Sequence, residues 1–223
     1  VPTWAQVRHQ WVQHTSERVP TWIRNILAGA YRIPRFQRAW TWTDAQILYL
    51  LESLALGCNV GSLLLWERYE FPASTEHFGE VEVSCKAGRG LMVVDGQQRL
   101  SALVTAKDSG RFWLDLIDGK FLVADTGGPW KAPLSMLLDY SSLGIFEWLD
   151  AHTACYGLPS ERLQDAVVAG VDMLDHCIIG ATLLPSDWPL ERVVETFRRI
   201  NTTGTPINAD DLAAALARAE DGT

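Results

Sequence analysis

The spacing of hydrophobic positions along the chain changes several times, and each change marks an element. Val19–Leu27 carries apolar residues at helical spacing and predicts a short helix. Gly29–Pro34 leads into a proline-containing loop or edge strand. Thr43-Asp44-Ala45-Gln46 has the form of a capping box. The helix it opens places Ile47, Leu50, Leu51 and Leu54 on one face, with Gly57 as its stop. Ser62–Glu67 encloses an unbroken apolar run, the pattern of a central strand. Pro72–Gly90 is polar, and within it Glu80-Val81-Glu82-Val83 alternates as a short edge strand does. Leu91–Val94 predicts a second buried strand, broken by Gly96, and Gln97–Lys107 a helix that buries Leu100, Leu103 and Val104.

Phe112–Ile117 and Lys120–Ala124, joined through Asp118-Gly119, carry the signal of a hairpin. Helices follow at Leu143–Cys155 and Ser160–Asp175, then a strand at Cys177–Leu184 and a helix at Leu190–Ile200. Asn201–Pro206 predicts a loop and Asn208–Ala219 a last capped helix. Strands gather early and helices late, without regular βαβ alternation, so the expected class is α+β. The expectation is one domain over 1–223: a helical segment to residue 32, a sheet core over 33–130, and a mainly helical part from 131.

Composition narrows the class of protein. Apolar residues make up 48% of the 223 and charged ones 21%, with mean hydropathy +0.01, which is a globular balance. No apolar run approaches the ~18 residues of a membrane span. Cys58, Cys85, Cys155 and Cys177 lie far apart with no CxxC, which predicts reduced thiols in a cytoplasmic protein and no zinc module. The net charge of −8 excludes a uniformly basic DNA-coating protein. Yet residues 1–40 hold six arginines and one acid, a balance of +5, leaving −13 on the other 183. Such a segment can engage phosphates locally, or simply be a solvated helix face.

Three segments carry chemistry. In Ile33-Pro34-Arg35-Phe36-Gln37-Arg38-Ala39-Trp40-Thr41-Trp42, Arg35 and Arg38 offer forked donors suited to phosphate, and Gln37 can donate and accept. The interleaved aromatics could equally staple an ordinary loop to the core. In Val93-Val94-Asp95-Gly96-Gln97-Gln98-Arg99-Leu100 a buried strand ends in Asp-Gly and a helix starts at once. Unpaired N–H groups and the positive end of the helix dipole suit an anion there. Gly96 admits close approach, Gln97 or Gln98 can position a water, Arg99 adds a cation, and Asp95 can bind Mg²⁺ or act as general base. A plain Asp N-cap explains Asp95 and Gly96 but not the Gln-Gln-Arg that follows. The third segment, Phe197-Arg198-Arg199-Ile200-Asn201-Thr202-Thr203-Gly204-Thr205-Pro206-Ile207-Asn208, reads as a helix end, and its hydroxyl-rich loop also suits a ligand.

Taken together and in this order, the three segments resemble the N-terminal domain of GmrSD-type, modification-dependent restriction enzymes, from about Ile33 to Leu216. The resemblance implies a ParB/sulfiredoxin-like α+β core with added helices. It also implies GTP or ATP hydrolysis, possible with Mg²⁺, at Asp95, Gly96, Gln97, Gln98 and Arg99, with Gln37 and Arg38 matching the first motif and Asn201 and Gly204 the third. Asp95, Gln97, Gln98 and Arg99 are then the catalytic candidates. Arg35, Gln37, Arg38, Asp95, Gly96, Arg99, Asn201 and Gly204 are the nucleotide-binding ones. Trp40 stands where Tyr is common, and Ser101-Ala102 replaces a common Thr-Thr.

The family's usual partner is an HNH nuclease, and the five scattered histidines supply no such motif here. A separate sensor subunit or an excised domain is therefore expected, and the missing initiator Met favours excision. The leading expectation is an NTPase that senses phosphorothioate or glucosylated double-stranded DNA and controls a nuclease elsewhere. The alternatives are a reader that binds nucleotide without turnover and a direct nuclease. Ile33, Pro34, Phe36, Trp40 and Trp42 beside Arg35 and Arg38 could form an apolar notch for a backbone sulfur, which a short loop suits better than a flipped, sugar-bearing base.

Overall fold

The structure, a computed structural model, describes residues 12–34, 39–124, 128–139, 142–157 and 159–201. The chain begins with β1 (Gln13–Arg18), α1 (Val19–Leu27), β2 (Tyr31–Arg32) and α2 (Asp44–Ala55). It continues through β3 (Leu63–Phe71), β4 (Ser74–Phe78), β5 (Val81–Cys85), β6 (Gly88–Asp95) and α3 (Gln97–Asp108). Strands β7 (Phe112–Asp115), β8 (Lys120–Val123) and β9 (Lys131–Pro133) precede α4 (Leu134–Leu137), α5 (Ser142–Tyr156) and α6 (Ser160–Asp175). Strand β10 (Ile178–Leu184) and α7 (Leu190–Asn201) complete the described elements.

The main sheet has five strands in the order β1-β10-β3-β6-β2. It is mixed: β10 runs parallel to β3 and β2 to β6, while β1 on β10 and β3 on β6 are antiparallel. The α+β class and the central position of the apolar strand are both observed. Strands β4 and β5 pair as a hairpin, and β8-β7-β9 form a third, small sheet.

Strand period explains the layering. Side chains alternate faces along a strand, so Leu63 and Leu65 of β3 join Val93, Ile179 and Ala181 on one face. Against them pack Trp22, Ile23 and Ile26 of α1, Ile47, Leu50, Leu51 and Leu54 of α2, and Leu100, Leu103 and Val104 of α3. Leu64 and Trp66 point the other way and meet Met92, Val94, Leu184, Trp188 and the Val193, Val194 and Phe197 face of α7. With both faces covered, the β3 sequence has to read as a continuous apolar run. Two of the ten tryptophans tie their indole N–H to buried carbonyls, Trp22 to Ile179 at 3.2 Å and Trp66 to Pro185 at 3.1 Å.

The structure corrects several expectations. The segment before α1 adds an unexpected edge strand, β1, whereas β2 at the opposite edge and β10 fall where an edge strand and a strand are expected. β1 escapes a hydrophobic pattern because its residues, Gln-His-Thr-Ser-Glu-Arg, are largely exposed. Backbone pairing places it, from Gln13 opposite Leu183 to Arg18 opposite Ile178. β4, β9 and α4 were likewise not expected, being short or polar. Of the N-terminal arginines described, Arg18 and Arg24 are exposed and Arg32 is not. Arg18 is ion-paired with Asp175, and Arg32 is buried, donating to the carbonyls of Gly29, Tyr31 and Lys86. Arg8, Arg35 and Arg38 and the expected helix at Asn208–Ala219 lie outside the described residues.

All four cysteines are free thiols, with Cys85 and Cys177 buried. Burial pushes the Cys177 thiol up to about 11, so it stays protonated and unreactive at neutral pH. Among the described residues, no helix is long and apolar enough to cross a membrane.

Candidate functional site

The candidate site is the strand–helix junction where β6 gives way to α3. Asp95 is the last residue of β6, opposite Leu64 of β3. Gly96 then turns the chain at φ +96°, a left-handed conformation that glycine adopts without strain. A Cβ at this position would also overlap Leu63 Cδ2, so two separate constraints select glycine. No side chain caps α3, which leaves its first-turn N–H groups without that protection.

Arg99, in the first turn, is held on three sides. Its Nη1 donates to the Val60 carbonyl at 3.1 Å, and its Nη2 to the Ser62 carbonyl at 3.1 Å and to Asp95 Oδ2 at 3.2 Å. Gly61 and Gly96, both at positive φ, flank it closely. A Cβ on either would come within 3.0 Å of Nη1 or 3.2 Å of Nη2. The side chain is only 16% exposed, and burial lowers the guanidinium pKa, with Asp95 opposing the shift. Two neutral carbonyls and one carboxylate thus surround a largely desolvated cation. Its bonds fix the loop after α2 to the junction.

Gln98 faces a different partner. Its Nε2 donates to the Ala39 carbonyl at 3.3 Å, and its Oε1 accepts from the Thr41 N–H at 3.4 Å. One of the two amides expected to be able to position a water therefore engages the backbone of the first segment. Gln97 is buried, and its Oε1 meets no hydrogen-bond partner, as does the Ser101 hydroxyl one turn further along. Asp95 keeps a one-third exposed side chain at the mouth of the junction.

The first segment is also held by contacts away from the junction. Ile33 donates its N–H to Glu76 Oε2 at 3.1 Å, and Glu76 is itself held by the Ser74 hydroxyl at 2.7 Å. Pro34 is buried, while Ile33, Trp40 and Trp42 are half-buried against the main core. The Trp40 and Trp42 rings lie 6.3 Å apart and tilted. Arg35, Phe36, Gln37 and Arg38, and with them the expected convergence of Arg35 and Arg38 on Arg99, lie outside the described residues. The third segment is anchored on the reverse face of the same strands, because α7 packs on Leu64 and Val94 beside Asp95. Asn201 ends α7, and Gly204 lies outside the described residues.

A family model described as the GmrSD restriction endonuclease, N-terminal domain, matches residues 19–217. The chain belongs to this family. GmrSD membership makes it part of a restriction system, in which contact with DNA and a nuclease partner are the expected context. No curated protein matches the sequence. All three segments begin and end within the matched residues.

Sequence reasoning missed Glu76 and the Val60–Ser62 carbonyls. The carbonyls carry no side-chain signal at all. Gly61 does carry one: a glycine between Asn59 and a strand, with Asn59 Oδ1 accepting the Gly61 N–H at 2.8 Å, marks a tight turn. Among the described residues no three His, Cys, Asp or Glu side chains gather as a metal site. A lone Asp95 carboxylate fits Mg²⁺ in the way nucleotide sites use it, with one or two protein oxygens and the rest from phosphates and water.

Proposed function

We propose that this domain binds a purine nucleoside triphosphate, GTP or ATP, at the Asp95–Arg99 junction and hydrolyses it on sensing modified DNA. In this reading it controls an HNH nuclease domain or subunit of a cytoplasmic anti-phage system. The observation that carries the reading is the uncapped N-terminus of α3, set behind a left-handed glycine and beside Asp95. Polyphosphate at such a terminus gains from oriented N–H groups and from the helix dipole. Asp95 would hold Mg²⁺, which supplies charge neutralisation for the phosphates. Arg99 keeps the junction in shape by fixing Asp95 and the Val60–Ser62 loop at once. Recognition of the modification, a phosphorothioate or a glucosylated base, is assigned to the 33–42 segment, with Arg35 and Arg38 supplying cations and Trp40 and Trp42 an apolar wall.

The engagement of Gln98 and Arg99 by backbone groups favours a second reading, a domain that binds nucleotide without turning it over. One experiment separates the two. Nucleotide binding by calorimetry and phosphate release are measured with plain, phosphorothioate and glucosylated duplexes, for the native protein and for Asp95→Asn. Release that rises at least tenfold with one modified duplex and collapses in Asp95→Asn supports hydrolysis. Binding without release on any duplex leaves the reader. Failure to bind either nucleotide removes both.

A further inference from the structure

We infer that Gln98 is a positioning residue, a two-point latch that ties the 39–42 segment to the first turn of α3 and so links that segment to whatever anion the turn holds. The latch itself rests on contacts alone, and its link to an anion rests on the nucleotide reading proposed above.

The contact pattern is unusual for a helical glutamine. Gln98 takes the carbonyl of residue 39 and the N–H of residue 41, the pair of groups that an adjoining strand would take, and Trp40 lies between them. The amide stands in for a strand edge. The next residue, Arg99, grips Val60 and Ser62. Residues 39–41 lie just before α2 and residues 60–62 just after it, so consecutive side chains of one helical turn strap both flanks of α2.

Only glutamine meets the requirement at position 98. The site needs one donor and one acceptor on a single planar group, at the reach of two methylenes. Glutamate of the same length supplies the acceptor for Thr41 but no donor for Ala39. Asparagine has both groups and is too short. The two bonds, at 3.3 and 3.4 Å, lie at the long end of the useful range and are open to water. Such bonds hold a segment in place and also let it go. A ligand that draws the first turn of α3 toward itself changes the strain on the latch, and a ligand on the 39–42 segment does the same from the other side. Linkage makes the effect reciprocal.

Hydrogen exchange at the Thr41 amide, read by mass spectrometry on the full chain, tests this directly. Gln98→Met should speed Thr41 exchange about fivefold, the factor for one ordinary net hydrogen bond. Gln98→Glu, which keeps the acceptor, should restore Thr41 to near its native rate. Amides in the interior of α2 and α3 should not move in either variant, whereas a general loss of stability would move them all. Adding GTP with Mg²⁺ should change Thr41 exchange in the native protein and not in Gln98→Met. Equal Thr41 exchange in native protein and in folded Gln98→Met overturns the latch. A nucleotide-induced change that persists in Gln98→Met overturns the coupling. If calorimetry shows no GTP binding, the nucleotide reading fails by itself, and the comparison of variants without nucleotide still decides the latch.

Discussion

Two arginines in this molecule sit at corners where three elements meet, and their surroundings are opposite in kind. Arg111, just before β7, is saturated by carboxylates. It forms a fork with Glu80 at 2.6 Å on both oxygens and reaches Asp44 at 2.9 Å, and these bonds raise its pKa. Arg99 has one carboxylate at 3.2 Å and two neutral carbonyls, and burial lowers its pKa. The first corner joins the α2 N-terminus to the β4–β5 turn and carries excess negative charge, so it has nothing to offer an anion. The second holds a desolvated cation beside an uncapped helix end. One corner is saturated by charge, and the other is closed mostly by neutral carbonyls, which is the difference on which the proposed anion site rests.

Substitutions can break this comparison. The largest effect is expected from Gly96→Val, which adds left-handed strain and an overlap with the buried Leu63, together about 3–4 kcal/mol. Urea unfolding measures it, and a loss under about 1 kcal/mol would mean that the junction can relax. Arg99→Met should cost about 2–3 kcal/mol, because it removes a largely buried guanidinium and with it the donor shared by the Val60 and Ser62 carbonyls and a one-third exposed Asp95. Its loss should change little with added salt.

Arg111→Met should cost less, about 1–2 kcal/mol, since its side chain and both acids remain partly exposed. Here the loss should shrink in high salt, and the two salt responses together test whether the corners differ as described. The smallest effect concerns pH. The Arg111 hydrogen bonds hold the Glu80 carboxyl below its ordinary value of 4.5. Its stabilisation is complete above that value and disappears as the pH falls through the lowered folded-state value. Glu80→Gln should therefore flatten the acid limb of the stability curve. An unchanged limb would show that Glu80 contributes nothing to it.

These corners also show what a sequence can and cannot disclose. The helix opened by Thr43 was legible because the Gln46 side chain accepts from the Thr43 N–H at 2.9 Å, a bond written in the side chains themselves. Asp95-Gly96 was legible for the same reason: a strand, a glycine and a helix follow one another directly. The roles of Gln98 and Arg99 were not, because their partners are the backbones of Ala39, Thr41, Val60 and Ser62, which any residue would present. Strand β1 was illegible on similar grounds. Its sequence is polar, and its place is set by ladder bonds to a strand far along the chain.

That last pairing has a consequence for how the protein is made. β1 ends at Arg18, and the strand that must separate it from β3 begins only at Ile178. At ribosomal speeds of about 5–20 residues per second, roughly 8–30 s pass between the two. Once β6 is complete at Asp95 the nascent chain can close β3 on β6, but until β10 is made the other edge of β3, with Leu63, Leu64, Leu65 and Trp66, has no neighbour. The hydrophilic composition of β1 lets the N-terminus wait in water without sticking. The edge of β3 has no such protection, and until β10 arrives it is the point at which an incomplete chain is open to aggregation.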